Sequence, residues 1–204
     1  MKMPDLFAWA RPGGEHDDIL DAAAAAFLEF GIKRTSMGYI AKRAGISPAT
    51  LYRRFSSKTE LVQAVGLREM GRLLDGLEEH VDRDADGPEQ VVQFTTAVLT
   101  AIPQHALFQR LMKTDPETIL PLMTVEADAY MPLALAYVTG VIQDLQQQGL
   151  IPHFAAEPVA EVVVRLVASF ALLPKSLVPI DDPERTAEML RAAVSTVHRG
   201  LLAD

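Results

Sequence analysis

The apolar positions of this chain recur at spacings of three and four, the mark of helices with one buried face. Ile19, Ala23, Ala26, Phe27 and Phe30 form a first stripe. It opens at Asp17 and Asp18, where a helix N-terminus favours negative charge, and stops at Gly31. Ile40, Ala41 and Ala44 form a short second stripe ending at Gly45, with Ile46 expected to bury in the corner behind it. Ser47 then caps a third helix whose first residue is Pro48, and Leu51 and Phe55 turn that helix back onto the second. Pro48, Ala49, Thr50, Tyr52, Arg53 and Arg54 are left on or beside the outer face. Two short helices joined by a tight glycine turn have the spacing of a helix-turn-helix.

The pattern downstream is also helical. Ser57 to Glu60 reads as a capping box, opening a helix through Leu61, Val65, Leu67, Leu73, Leu74 and Leu77. Further starts follow at Gly87-Pro88-Glu89, Ala106, Asp115-Pro116-Glu117, Met131, Pro158 and Asp182-Pro183-Glu184. Pro103, Pro121 and Pro132 are expected to end or kink their helices, and Gly149 to close the one begun at Met131. No alternating strand pattern stands out. The expected fold is all-α, with about nine helices. Its three parts would be an N-terminal arm over 1–14, a helix-turn-helix domain over 15–62, and a helical ligand-binding and dimerisation domain over 63–204. Trp9 and Arg11 stand in the arm, where a terminus can fray or touch a minor groove.

Charge sharpens the reading of the turn. Between Gly31 and Lys58 stand Lys33, Arg34, Lys42, Arg43, Arg53, Arg54 and Lys58, with no Asp or Glu, so this window carries +7. The chain as a whole has 19 basic and 27 acidic residues, a net of -8. The other 12 basic residues against 27 acidic ones leave -15 on the remainder. A small cationic surface on an anionic body is the footprint of a protein that binds a polyanion. Lys58 sits in the first turn of its helix, against the dipole, and a nearby phosphate oxygen would remove that cost.

TSMGYIAKRAGISPATLYRRFSSKTEL resembles the DNA-binding signature of the tetracycline-repressor family of bacterial transcription regulators. The likeness covers roughly residues 17 to 65. It rests on the T-S-x-x-x-I-A-x-x-A-G-I-S run, the T-L-Y-x-x-F run, and the lysine three positions after that Phe. Beyond it, only length and helical pattern agree. The residue types of Thr35, Ser36, Thr50, Tyr52, Arg54 and Lys58 suit phosphate oxygens, and Ser47 starts the reading helix. The resemblance implies backbone contacts from Ser36, Thr50, Arg54 and Lys58, and an approach to base edges by Pro48, Ala49 and Tyr52. Ala49 can pack on a thymine methyl, and Arg53 can grip a guanine edge or a phosphate. The chain departs from the family at Ala49, where Gly or Pro is frequent, and at Arg53 and Arg54, where aromatic residues or His are frequent.

The resemblance further implies a homodimer on a palindromic stretch of double-stranded DNA, and a small, mostly apolar effector whose binding releases it. Residue types suggest His105, Phe108, Met112, Met123, Tyr130 and Tyr137 for the effector, though a packed core uses the same types. The segment from Pro158 to Pro174 is apolar nearly all round its helix, which calls for burial on several sides. Val159, Val163 and Phe170, with Leu190, Val194 and Val197 of the last helix, are the expected dimer seam; one larger monomer core is the alternative. A constitutive DNA-binding regulator or architectural protein, without a ligand, is the other functional class.

Composition removes competitors. At 204 residues and 22.3 kDa the chain has enough length for a core. Hydrophobic content is 49% and mean hydropathy +0.12, which hints at a subunit interface. With no Cys there is no disulfide framework or thiolate metal site, and a reducing cytoplasm fits. No signal peptide stands out, and Glu161 and Arg165 interrupt the most apolar helix, so no membrane partner is expected. His16, His80, His105, His153 and His198 show no metal-ligand spacing, and neither a phosphate loop nor a nucleophile elbow occurs. No enzyme activity, cofactor or metal is expected.

Overall fold

Ser36 and Ser47 cap the second and third helices of the expected helix-turn-helix domain, the reading head. Each accepts a backbone N–H three residues on, from Tyr39 and Thr50 respectively, both at 3.1 Å. These are donors that a helix start otherwise leaves without a partner. Gly45 closes the helix between them at φ +68°. Its N–H reaches the Lys42 carbonyl at 3.3 Å and that of Ile46 reaches Ala41 at 3.0 Å, a Schellman closure that only a left-handed residue completes. Gly31 (φ +79°) and Gly149 (φ +70°) end their helices with the same hand.

The computed structural model describes residues 17–173 and 175–201, apart from the side chains at 78, 194 and 196–201. The N-terminal arm, with Trp9 and Arg11, lies outside the described residues. Ten α-helices occur among the described residues: α1 Asp17–Phe30, α2 Met37–Arg43, α3 Pro48–Arg54, α4 Lys58–Leu77, α5 Gly87–Gln104, α6 Ala106–Thr114, α7 Pro116–Met123, α8 Met131–Gln147, α9 Ala156–Leu172 and α10 Pro183–Leu201. No strand occurs among them. Pro132 lies in the first turn of α8, where a missing N–H costs little, while Pro103 and Pro121 lie in the last turns of α5 and α7, one and two residues before those helices end. No single helix among the described residues is long and apolar enough to cross a membrane.

The chain divides into two compact units, and the division departs from the expected boundary at residue 62. The first unit holds residues 17–73 and also 105–133. Its core joins Ile19, Phe27, Ile40, Leu51 and Leu61 of the head to Leu107 and Leu111 of α6 and Ile119 and Leu122 of α7. The reason for the correction is that α6 and α7 lend their apolar faces to the head's own core.

The second unit holds residues 74–104 and those from 134 onward. There α5 packs against α9 and α10. Phe94 stacks on Tyr137 at 6.1 Å, and the Tyr137 hydroxyl donates to the Leu74 carbonyl at 2.9 Å. Arg191 grips Glu89 through two nitrogens at 2.6 and 2.9 Å. Within the single chain, helix α9 is buried on one face and open on another. Small residues, Ala156, Ala160, Val164 and Ala171, make its buried face, while Val162 (58% exposed) and Leu166 (55%) lie open with Val159 and Leu173. Val163 and Phe170 are half-buried flanks of that stripe, and Leu190 on α10 is half-buried too. The side chains of Val194 and Val197 lie outside the described residues.

Candidate nucleic-acid interface

Helix α3 presents its outer side as the spacing predicts. Pro48, Ala49, Tyr52 (53% exposed) and Arg53 are exposed, Thr50 and Arg54 half-buried, and Leu51 and Phe55 sit in the core. Ser47 shares a hydrogen bond of 2.9 Å with the Thr50 hydroxyl, so the cap also fixes the first turn's polar side chain. Ser36 is exposed at the start of α2. A serine accepting one N–H still has its own O–H to give, which suits a phosphate oxygen.

Thr35 is a correction. Its side chain is 2% exposed, and its hydroxyl points to the Gly31 carbonyl at 2.7 Å and that of Ala26 at 3.3 Å. That hydroxyl closes the α1–α2 turn from inside and does not face solvent. The Thr35 carbonyl, by contrast, accepts the Lys58 Nζ at 2.9 Å. A protein carbonyl therefore already relieves the dipole cost that a phosphate was expected to relieve.

The charge of the 31–58 window is also smaller in effect than its count. Lys33 pairs with Glu117 at 2.7 Å, and Arg43 with Glu29 at 2.9 Å. Both acids come from outside the window, one of them from α7. Arg34, Lys42 and Arg53 are exposed, and with Arg54 and Lys58 they keep the face cationic. Phe30 and Tyr39 meet edge to face at 5.5 Å beside the Glu29–Arg43 pair and brace α1 against α2.

Behind the face lies a buried ion network that no sequence motif announces. Arg68 of α4 is fully buried. Its guanidinium reaches Asp21 at 3.0 Å, Asp17 at 3.6 Å and Glu69 at 3.1 Å, and donates to the Asp17 carbonyl at 3.1 Å. Arg72 repeats the contacts to Asp21 and Glu69, at 3.0 and 3.2 Å. Glu69 also faces His105 Nε2 at 3.5 Å. His105, then Arg68 and Arg72, hold the Glu69 carboxyl below its usual range against the opposing effect of burial. The network locks α4 to the start of α1. The signal was present: Arg68 falls on the apolar face that Leu61 and Val65 define.

The residues proposed for an effector divide between the units. His105 caps α6, its Nδ1 accepting the Phe108 N–H at 3.4 Å. Phe108, Met112, Met123 and Tyr130 pack half-buried on the head's core. Burial pushes the Tyr130 hydroxyl up to about 12, and it approaches the Gln63 carbonyl at 3.5 Å. Tyr137 belongs to the second unit. Asp115, read from sequence only as a helix start, has a cross-chain role. Its carboxylate accepts the N–H groups of Ile32 and Lys33, which no local signal could show.

Residues 19–65 match the family model for bacterial regulatory proteins of the tetR family. This stretch of the chain is a DNA-binding region of the TetR family of transcriptional regulators. The match covers α1 to α3 and the first turns of α4. YhgD of Bacillus subtilis (strain 168), an uncharacterised HTH-type transcriptional regulator, is 24% identical over 86% of this chain and 92% of its own length. UidR of Escherichia coli (strain K12), an HTH-type transcriptional regulator, is 35% identical over 46% of the chain, and that match spans 48% of UidR. Among solved structures, the R. erythropolis transcriptional repressor QsdR, of the TetR family, has a similar fold. Its TM-score is 0.63 at 18% identity, over 87% of this chain and 90% of QsdR.

Proposed function

We propose that this TetR-family regulator is a repressor that binds a palindromic operator as a homodimer and leaves it when a small, mostly apolar effector binds. One observation carries the DNA half of this reading. Helix α3 offers Pro48, Ala49, Tyr52 and Arg53 to solvent on a cap-fixed frame, flanked by Ser36, Arg54 and Lys58. Such a helix enters a major groove, with the flanking donors on phosphates. Two copies would join along the open apolar stripe of α9, and reading helices roughly 34 Å apart address half-sites one turn of duplex apart. The effector half rests on the shared core of head and α6–α7, through which a shift of those helices reaches α3. Release needs only a few kcal/mol of preference for the non-binding state. A constitutive regulator is the second reading. It draws support from Phe108, Met112, Met123 and Tyr130, which are already engaged in packing on the head.

The DNA reading is tested by salt dependence. Lys58→Ala and Arg54→Ala should each weaken binding to every duplex sequence and reduce the slope of log affinity against log salt by about one. Wild-type slopes in both variants would overturn the phosphate assignment. Footprinting on the DNA beside its own gene would then locate the operator.

A further inference from the structure

A continuous series of hydrogen bonds runs from the α6–α7 junction to Lys58. Asp115 stands at that junction, 1% exposed, with both carboxylate oxygens in use. Oδ1 accepts the Lys33 N–H at 2.9 Å; Oδ2 accepts the Ile32 N–H at 3.0 Å and the Thr114 hydroxyl at 2.6 Å. The two N–H groups are consecutive and follow directly on Gly31. A Cβ on Gly31 would stand 2.6 Å from Asp115 Oδ2, so the carboxylate fills the room a side chain would need. From the other side, the Thr35 hydroxyl pins the Gly31 carbonyl at 2.7 Å. The Thr35 carbonyl then holds Lys58 Nζ at 2.9 Å. The Lys33–Glu117 pair and the Arg110 guanidinium on the Glu29 carbonyl at 3.3 Å link the same elements, but both are exposed and correspondingly weak.

We infer that Asp115 is a positioning residue for DNA binding: across 82 to 83 positions of chain it fixes the 31–35 turn so that Thr35 sets Lys58 against the duplex backbone. This rests on the proposed phosphate contact of Lys58. The chemistry requires a carboxylate. A carboxamide has one acceptor oxygen and a donor in place of the other, so Asp115→Asn turns an N–H toward an N–H at Ile32 or Lys33.

The test uses the full chain and a synthetic duplex of arbitrary sequence at low ionic strength. Binding is measured against salt for wild type, Lys58→Ala, Asp115→Asn and the double variant. Asp115→Asn should lose about one from the salt slope, as Lys58→Ala does, since one phosphate contact is worth about 0.9. The double variant should lose no more than Lys58→Ala alone. A folded Asp115→Asn with the wild-type slope, or losses that add in the double variant, would overturn the inference. A role confined to stability lowers the melting temperature without moving the slope. Should circular dichroism show Asp115→Asn unfolded, Thr114→Val takes its place, removing the hydroxyl that donates to Oδ2 and, at 3.1 Å, to the Arg110 carbonyl within the same helix. A reduced slope supports the inference and a wild-type slope overturns it. A wild-type slope in Lys58→Ala would sink the underlying phosphate reading instead, which separates the two failures.

Discussion

Arg68 is a costly residue to truncate. It is fully buried, and its guanidinium faces Asp17, Asp21 and Glu69, while its Nε has no hydrogen-bond partner among the described residues. Breaking a buried pair by removing one member costs about 3–5 kcal/mol, because the remaining charges lose their compensation. Asp21 is exposed and water can serve it, so Arg68→Met should fall at the lower end, about 3 kcal/mol. Denaturant unfolding checks this, and a change below about 1 kcal/mol would mean that the carboxylates are solvated without the arginine. The sequence allowed Arg68 to be found, since a cation on an apolar stripe is an anomaly of spacing. It did not allow Thr35 to be placed correctly. Threonine suits a phosphate or a backbone carbonyl equally well, and only the path of the α1–α2 turn selects between them. Nor could counting charges show that Glu29 and Glu117 fold back onto the cationic window.

At the scale of helices, local chemistry was legible and the choice of buried face was not. Ser36, Ser47, Gly31, Gly45 and Gly149 mark helix ends because caps and left-handed closures are decided by the residue itself. The reciprocal box at the start of α4 is shifted: Ser57 accepts the Glu60 N–H at 3.1 Å, while Glu60 accepts from the N–H and hydroxyl of Ser56, both at 2.7 Å. Helix α9 is the harder case. With apolar residues on every side, its pattern cannot say which side faces its own subunit. The structure buries the alanines and opens Val159, Val162, Leu166 and Leu173. If that stripe is the dimer seam, Leu166→Glu should yield monomers in sedimentation with a melting temperature near that of the parent subunit. Val163→Glu should lower stability as well, because its side chain is half-buried. A Leu166→Glu protein that stays dimeric would move the seam elsewhere.

For the whole molecule, acidity sets the conditions of stability. The carboxyls of Glu60, Glu69, Glu89 and Glu117 are held below their ordinary 4.5, chiefly by Ser56, His105, Arg191 and Lys33 respectively. Burial raises Asp115, but the Thr114 hydroxyl and the N–H groups of Lys33 and Ile32 outweigh it and leave its carboxyl below 3.8. A carboxyl whose folded value is depressed binds fewer protons folded than unfolded. Its contribution is complete above the unfolded value and is lost as pH falls through the folded one. The melting temperature should therefore hold down to about pH 5 and drop steeply below about pH 4. A melting temperature unchanged at about pH 3 would contradict these partnerships. The division into units was the least legible feature at this scale. Residues 105–133 join the head's core although 31 residues of the other unit, 74–104, intervene, and no punctuation in the sequence marks that return.

The grip of the Thr35 carbonyl on Lys58 changes when the lysine's freedom is given up. A long cationic side chain forfeits up to about 2 kcal/mol of rotamer entropy on being immobilised. Here much of that loss falls during folding, before any nucleic acid arrives. The ammonium waits at a fixed berth with protons still to offer, so docking need not first tame a swinging chain.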